Sequence, residues 1–318
     1  TEPKEVTKRL YDAGTVSALS FRMVGPALTS GRVADIAVHP TNKDLWYVAA
    51  ASGGVWITKN HGITFQPIFD GYGSYSIGCV ELAQSNPTTV WVGSGENNNQ
   101  RSVSYGDGVY KSVDGGKSFT NMGLKQSEHI GSIVIHPTND NIIWVAAYGP
   151  LWSKGGERGV YKSVDGGNTW VLNTSVTSTF NKFIIHPTNS NIIIAATKGG
   201  TYKSTDAGAS WTKSHASAVE DLEFKPNNPQ IIYAIGDGVY LKSTDSGDSF
   251  STMSSITGSG RSFVAVSAAN PAVVYVIQAS GSVFGKLFKS TDSGANFTVV
   301  SSGSSGNNNL FGYEPDGS

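Results

Sequence analysis

The sequence predicts an all-β fold, a β-propeller with six recognisable four-stranded blades, from three observations. A turn of the form Ser-x-Asp recurs along the chain, and a second turn that contains Pro recurs with the same spacing. The amino-acid composition favours short strands. Gly accounts for 38 of the 318 residues and only 15% are charged, which is typical of strands joined by tight turns. Copies of the first turn begin at Thr58, Ser112, Ser163, Ser204, Ser243 and Ser290, 39 to 54 residues apart. Four strands in about 40 to 50 residues is the spacing of a propeller blade.

Each repeat has the same internal order, which defines its four strands. An inner strand ends at a turn such as "HPTN" (His39–Asn42), where Pro cannot donate to a ladder. The run that follows, such as "IIWVAA" (Ile142–Ala147), is apolar at almost every position, as expected for a strand covered on both faces. A "GVYKS"-like strand then leads into the Asp turn and the last strand. A further strand at Ser20–Pro26 makes a ring of seven or more blades the alternative to six.

This order predicts three segments. Residues 1–19 are expected to form an N-terminal extension and residues 20–301 the propeller. Residues 302–318 are expected to be a Gly-, Ser- and Asn-rich tail that leads to further sequence. The chain is therefore interpreted as part of a longer protein or of a larger ring.

The recurring turn has the form S-x-D-x-G-x-[ST]-[WF] and resembles the Asp-box, also called the bacterial neuraminidase repeat. A short polar side chain in a turn accepts hydrogen bonds from nearby amides, so a structural role is expected. Equivalent carboxylates in separate blades cannot converge on one substrate, and one carboxylate per turn is too few for a calcium loop. The predicted structural Asp-box residues are Asp114, Asp165, Asp206, Asp245 and Asp292.

Longer segments resemble particular propellers. Residues Phe21–Trp170, with "AASGGVWITKN" and "ERGVYKSVDGGNTW", resemble large secreted bacterial proteins described as sortilin-like or glycosyl-hydrolase-like. From Phe180 onward, "NKFIIHPTNSNIIIAATKGGTYKSTDAGASW" resembles propellers of secreted Bacteroidetes proteins. These resemblances imply a secreted, periplasmic or cell-surface location in a bacterium.

Two enzyme families that share the Asp-box are not matched at their catalytic positions. The sialidase motif F/Y-R-I-P is only approximated by Phe21–Pro26, and no arginine of this chain has flanking residues that match those of that family's arginine triad. In xyloglucanases a catalytic Asp follows the second strand of the first blade, where this chain has Ala51. Neither resemblance therefore implies an activity for this chain.

The net charge and the cysteine count limit the kinds of partner and metal site that the sequence predicts. The net charge is −1 and there is no basic run, so nucleic acid is not an expected partner. Cys79 is the single cysteine, which rules out an intrachain disulfide and paired-cysteine zinc sites. His39, His136 and His186 occupy equivalent turns of separate blades, too far apart to share a metal. No cofactor, no metal and no membrane span are predicted.

Binding is expected on the rim that carries the loops between second and third strands, because long loops on a rigid scaffold are where function is usually placed. Two of these loops are long, at Gly93–Gly108 and Ala147–Gly159. Their aromatic and charged residues suit a sugar ring or a peptide. The candidate ligand-binding residues are Glu96, Arg101, Tyr105, Trp152, Glu157 and Arg158.

The predicted function is a non-catalytic propeller that binds a protein or glycan partner, or forms part of a surface assembly. The alternative is a glycoside hydrolase-like enzyme that acts on polysaccharide through Glu96 and Glu157, with Asp107 as a second carboxylate. A third interpretation, an assembly factor similar to the photosystem assembly propellers, lacks a basic patch in the sequence. The same residues have a structural alternative, in which Glu157 and Arg158 tie their own loops in a local ion pair.

Overall fold

Six antiparallel sheets of four strands form a six-bladed β-propeller in the computed structural model, which describes residues 32–97, 103–173, 176, 178–281 and 283–303. Blade 1 is β1 (Val33–Val38), β2 (Trp46–Ala50), β3 (Gly54–Thr58) and β4 (Gln66–Pro67), and blade 2 is β5 (Ile77–Leu82), β6 (Val90–Ser94), β7 (Val109–Ser112) and β8 (Thr120–Asn121). Blade 3 is β9 (Ile130–Ile135), β10 (Ile143–Tyr148), β11 (Arg158–Ser163) and β12 (Val171–Asn173), and blade 4 is β13 (Phe180–Ile185), β14 (Ile193–Thr197), β15 (Gly200–Ser204) and β16 (Thr212–His215). Blade 5 is β17 (Asp221–Phe224), β18 (Ile232–Gly236), β19 (Val239–Ser243) and β20 (Ser251–Thr252), and blade 6 is β21 (Ser262–Val266), β22 (Val274–Ser280), β23 (Val283–Ser290) and β24 (Thr298–Ser302). A single 3₁₀ turn, Lys125–Ser127, joins blades 2 and 3, and the predicted strand at Ser20–Pro26 lies outside the described residues.

The predicted strand order is confirmed in every blade. The first strand of each sheet is innermost, and each later strand pairs with the one before it. The second strands β6, β10, β14 and β18 are buried at every residue, which explains why their sequences are apolar on both faces. Adjacent blades share apolar cores between their facing sheets, with Trp91 and Trp144 among the largest fully buried side chains.

The recurring turns connect the third and fourth strands. In blade 4, Asp206 accepts hydrogen bonds from the hydroxyl of Ser204 (2.8 Å) and the amide of Ser210 (2.8 Å), and also from the hydroxyl of Ser210. These bonds hold the pKa of Asp206 down to about 2, chiefly through Ser210. Gly208 follows at φ 83° and lies against the indole of Trp144 in the neighbouring blade. The turn therefore links one blade to the next.

Blades 1, 2, 3, 5 and 6 carry the same arrangement. The equivalent side chains are Asn60, Asp114, Asp165, Asp245 and Asp292, and each accepts from the hydroxyl before it and the amide four residues after it. In blade 1 the amide oxygen of Asn60 accepts the hydrogen bonds that an Asp carboxylate accepts in the other blades. Because the turn needs an acceptor but not a charge, Asn can replace Asp at this position.

The described residues contain no helix with the length and apolarity that crossing a membrane requires. Loops between second and third strands emerge on one rim of the ring, together with the connections from blade to blade. The turns at HPTN and at the aspartates emerge on the other rim. The fold therefore separates a rim of repeated turn geometry from a rim of variable loops.

Candidate functional site

A cavity of about 540 Å³ lies on the variable rim and is called the mouth cavity below. The start of β11 supplies Arg158, the loops after β14 and β18 supply Lys198 and Asp237, and the connection before β21 supplies Arg261. Tyr148 and Leu151 form an apolar wall. The connection Ser217–Glu220 between blades 4 and 5 and the side chains of Asn97, Thr179, Asn181, Val239 and Phe263 complete the described lining, so blades 2 to 6 contribute to one site.

Three cations line the mouth cavity. One nitrogen of the Arg158 guanidinium (Nη2) donates to the carbonyls of Pro150 (2.5 Å) and Ser153 (3.2 Å), which holds the β10–β11 loop in place. Within the described part of the chain, the side chains of Lys198 and Arg261 make no hydrogen bond or ion pair, and both are exposed. Their charges are therefore available to a ligand.

Both carboxylates of the cavity are already occupied by backbone amides. Glu220 accepts from the amide of Ser262 (3.2 Å) and Asp237 accepts from the amide of Gly260 (2.6 Å). These two amides flank Arg261, whose own carbonyl accepts from Ala279 (2.9 Å). The connection before β21 is thus fixed on both sides of Arg261, which presents its guanidinium at the cavity.

Tyr148 is held at the edge of the cavity by close packing. A Cβ on Gly131 would lie 2.0 to 2.6 Å from atoms of the Tyr148 ring, so only glycine permits the ring at this place. Burial raises the pKa of the Tyr148 phenol well above its usual range. The phenol is therefore neutral and adds no negative charge to the cationic cavity.

Below the mouth, a channel of about 580 Å³ runs between the inner strands of the blades. Lys182 on β13 donates to Asp221 (2.7 Å) and Glu223 (2.7 Å) on β17, and these carboxylates raise its pKa despite burial. Asp35 accepts from the amide of Val80 (3.1 Å) across blades 1 and 2, and Asp221 accepts from that of Val264 (2.8 Å) across blades 5 and 6. Inner strands are edge strands with unpaired amides, so these carboxylates complete the ladder and join blades.

Glu81 differs from the other channel carboxylates. It faces the channel from β5, and burial together with the nearby charge of Asp35 raises its pKa to about 8, although Lys182 opposes the shift. Burial also raises the pKa of Asp35. The channel therefore carries fewer ionised carboxylates at neutral pH than its composition indicates.

The two long loops do not bring their predicted residues together in one site. Glu96 is only 2% exposed, and its carboxylate forms an ion pair with Arg32 while its carbonyl contacts Nδ1 of His129 (2.8 Å). Tyr105 is 60% exposed and its ring lies 5.7 Å from that of His129. Arg101 lies outside the described residues.

In the other long loop, Glu157 and Arg158 both contact main-chain groups. Glu157 accepts from the amide of Gln126 (2.9 Å) in the connection between blades 2 and 3, and Arg158 binds carbonyls of its own loop. The two side chains tie loops through main-chain groups instead of through the expected ion pair with each other. Trp152 is 61% exposed and does not line the cavity, so among the predicted residues that the structure describes, Arg158 alone lines it.

The carboxylates of the enzyme alternative are each engaged in a structural contact. Glu96 pairs with Arg32, and Glu157 holds the amide of Gln126. Asp107 accepts from the phenol of Tyr110 (2.5 Å) and from Ser94 (3.2 Å), inside blade 2. An enzyme built on these three groups would have to break contacts that position its own loops.

The histidines of the HPTN turns cap those turns. Nδ1 of His39 accepts from the amide of Asn42 (3.0 Å), and Nδ1 of His136 accepts from that of Thr138 (3.2 Å). His186 contacts Thr188 in the same way. Each histidine thus has a local role in its own blade.

Sequence reasoning did not single out Lys198 or Arg261. The local sequence gives little indication of a binding role for either residue. Lys198 lies in the short loop "TKGG", and Arg261 lies in the connection "GSGR". The informative signal is topological, because both positions fall on the variable rim beside the channel. Listing every cation predicted to lie on that rim, and not only those of the two long loops, would have included both residues.

Comparison with known proteins agrees with the fold. The family model described as Sortilin-Vps10 (Sortilin, neurotensin receptor 3) matches residues 107–236, and no curated protein matches the chain in sequence. An ancestral GH74 enzyme is similar in structure with a TM-score of 0.69 and 18% identity, over 87% of this chain and 39% of that one. This chain thus spans about two fifths of that enzyme's length.

YCF48 from Cyanidioschyzon merolae is similar with a TM-score of 0.60 and 16% identity, over 86% of each chain. The structure of YCF48 bound to D1 peptide is similar with a TM-score of 0.58 and 14% identity, over 85% of this chain and 81% of that one. At such identities these likenesses concern the fold alone. The chain therefore has a β-propeller fold, and its residues 107–236 are similar to the Sortilin-Vps10 family.

Proposed function

We propose that this sortilin-like β-propeller is a non-catalytic binding module that holds an acidic segment of a protein partner in the mouth cavity. We place it in the secreted, periplasmic or cell-surface space of a bacterium, as the resemblances of its sequence imply. The observation that carries the proposal is the charge of the cavity. Lys198 and Arg261 have no ion-pair partner among the described residues, whereas Glu220 and Asp237 accept hydrogen bonds from backbone amides.

The charges of the cavity favour an anion over a neutral ligand. Carboxylate oxygens accept charge-assisted hydrogen bonds from guanidinium and ammonium groups, and these bonds are about twice as strong as neutral ones. Lys198 and Arg261 stand on different blades, so a chain with several carboxylates can contact both at once. An acidic peptide segment has this property.

An acidic peptide is favoured over a neutral sugar by the two cations Lys198 and Arg261 of the cavity. Phe263 is the exposed aromatic residue of the described lining, and its ring can pack against an apolar side chain of a peptide as well as against a sugar ring. The structurally similar YCF48 bound to D1 peptide is a propeller with a peptide ligand, which supports a peptide as the ligand class. The catalytic alternative has no comparable support, since its three carboxylates hold loops.

Charge reversal in the cavity tests the proposal. We expect Lys198→Glu and Arg261→Glu each to weaken binding of a synthetic Asp/Glu-rich peptide at least about tenfold, as measured by fluorescence anisotropy, because each replaces an attractive contact by a repulsive one. Raising the salt concentration should weaken binding by the wild-type protein as well. The matched control is Lys117→Glu, an exposed lysine in the turn of blade 2 on the opposite rim, which should change the Kd less than twofold.

The alternatives give different results. Equal binding by Lys198→Glu, Arg261→Glu and the wild-type protein would place the peptide elsewhere and reject the cavity. Binding of uronic-acid oligosaccharides without binding of the peptide would make the ligand a glycan. Release of reducing sugar from polysaccharide, abolished by Glu96→Gln or Glu157→Gln, would establish the enzyme alternative in place of ours.

A further inference from the structure

A second cavity, of about 260 Å³, lies beside the mouth cavity between blades 3 and 4 and is called the side pocket below. Tyr148, Arg158 and Thr179 line both cavities, so the two cavities border each other. Blade 3 contributes the ends of β10 and β12 and the start of β11, and blade 4 contributes the start of β13. A ligand in the mouth cavity can therefore extend into the side pocket.

Apolar side chains form much of the wall of the side pocket. Val176 and Phe180 are buried, with 7% and 3% of their surfaces exposed, while Leu172 on the outer strand β12 is 42% exposed. A Cβ on Gly159 would lie 2.8 Å from Cδ1 of Leu172, so the glycine allows this side chain to lie against β11. A concave, mainly apolar lining with a few polar groups at its edge is typical of ligand pockets.

The polar edge of the side pocket holds main-chain groups of the protein itself. The guanidinium of Arg158 donates to carbonyls of its own loop. The side-chain amide of Asn173 donates to the carbonyls of Gly208 (2.6 Å) and Ala209 (2.9 Å). Arg158 is also the only charged residue of the described lining. The side pocket is therefore suited to an apolar group.

The volume of the side pocket suits an aromatic side chain. An apolar cavity of about 150 Å³ is large enough to bind benzene, so 260 Å³ can hold a phenyl ring together with its methylene group. The rings of Tyr148 and Phe180 belong to the wall, and aromatic rings pack favourably edge to face.

We propose that the side pocket binds an aromatic side chain of the acidic segment that occupies the mouth cavity. The recognised sequence then combines carboxylates, which contact Lys198 and Arg261, with an aromatic residue close to them. This inference rests on the proposed function for the identity of the ligand. The side pocket can nevertheless be tested by itself, because a small aromatic probe needs no contact with the two cations.

Binding of N-acetyl-phenylalanine amide tests the side pocket alone. We expect this probe, at millimolar concentration, to shift the methyl NMR signals of Leu172 and Val176, whereas N-acetyl-alanine amide should leave them unchanged. The methyl signals of Val113, which is 66% exposed in the turn of blade 2 on the opposite rim, should not move with either probe. Unchanged signals of Leu172 and Val176 would overturn the proposal.

A double-mutant cycle tests the aromatic residue within the peptide. A series of Asp/Glu-rich peptides carries one Phe at successive positions, and the reference peptide has Ala at all of them. At the best position, we expect Phe to lower the Kd of the wild-type protein at least about tenfold, because its ring is removed from water. In Leu172→Asp, which puts a charge in the apolar wall, this gain should fall below threefold.

Val171→Asp is the matched control for Leu172→Asp. Val171 is the preceding residue of β12, is 70% exposed and does not line the side pocket, since successive side chains of a strand point to opposite faces. The change in net charge is the same, so Val171→Asp should keep the tenfold gain from Phe.

Failure of the side pocket and failure of the proposed function give different results. If the reference peptide binds through Lys198 and Arg261, but Phe gives less than a twofold gain at every position or its gain persists in Leu172→Asp, the side pocket is rejected and the mouth cavity is kept. If no acidic peptide binds although N-acetyl-phenylalanine amide does, the acidic segment is rejected as the ligand, and the proposed function fails with it.

Discussion

Replacing Lys182 by Met is expected to lower the free energy of unfolding at pH 7 by about 3 kcal/mol. Lys182 joins blades 4 and 5 at the channel wall, and its ammonium is the charge that balances Asp221 and Glu223. Removing one partner of a buried ion pair leaves the other charges without compensation, which costs more than the pair itself contributes. Asp221 is only 6% exposed, so water cannot replace the lysine there. Urea unfolding followed by tryptophan fluorescence measures the change.

Lys203→Met is the matched control for this prediction. Lys203 also joins blades 4 and 5, but its partner Asp248 is 70% exposed at the outside of the ring. An exposed carboxylate that loses its lysine is solvated by water, and the expected loss is about 1 kcal/mol or less. Equal losses for the two variants would show that the channel charges are not the ones that hold these blades together.

Replacing Glu81 by Gln is expected to stabilise the protein at alkaline pH by about 2 to 4 kcal/mol. The pKa of Glu81 is raised to about 8 by burial and by Asp35, from an ordinary value of 4.5. Because the folded state holds the proton more tightly than the unfolded state, wild-type stability falls as the pH rises from about 4.5 to about 8. Each unit of difference corresponds to about 1.4 kcal/mol, and glutamine has no proton to lose.

Unfolding of both proteins at pH 4 and pH 9 provides the test. At pH 4 Glu81 is protonated in both the folded and the unfolded state to a large extent, so the wild-type protein and Glu81→Gln should have closely similar stabilities. At pH 9 the variant should be clearly more stable. A variant that is less stable than the wild-type protein at pH 9 would mean that the Glu81 carboxylate has a favourable charged contact in the channel.

The sequence was sufficient to predict the fold because the repeat carries several signals at once. The turn around Asp206, the Pro of the HPTN turn and the apolar second strand each recur in register. All six four-stranded sheets were predicted from that pattern. What it could not predict is which blade faces are covered: β22 has the same apolar pattern as β18 but is buried on one side only. Coverage depends on neighbours that the strand's own sequence does not specify.

The site was harder to predict because charge partners lie far apart along the chain. Glu96 is a binding candidate from its loop, yet it is buried with Arg32, which precedes blade 1. Arg261 lies in a short connection, and its exposure depends on Glu220 and Asp237 holding the amides beside it. Loop length indicated the rim on which the mouth cavity lies, but only three-dimensional contacts distinguish a charge that binds the protein itself from one that is available to a ligand.

These contacts also explain why the cations and carboxylates of the ring have different roles. In the channel, Lys182, Asp35 and Asp221 join inner strands, so changing them affects stability. In the mouth cavity, Lys198 and Arg261 join nothing that the structure describes, so changing them should leave stability unaffected and alter binding. This separation allows the function to be tested in folded protein.

A charge-swap measurement tests the central claim, that the mouth cavity recognises an acidic partner. The wild-type protein and the double variant Lys198→Glu/Arg261→Glu are each titrated with an Asp/Glu-rich peptide and with a Lys/Arg-rich peptide of equal length. We expect the wild-type protein to bind only the acidic peptide and the double variant to prefer the basic one, with both proteins unfolding at the same temperature. Equal preference of the two proteins for the same peptide would contradict the claim.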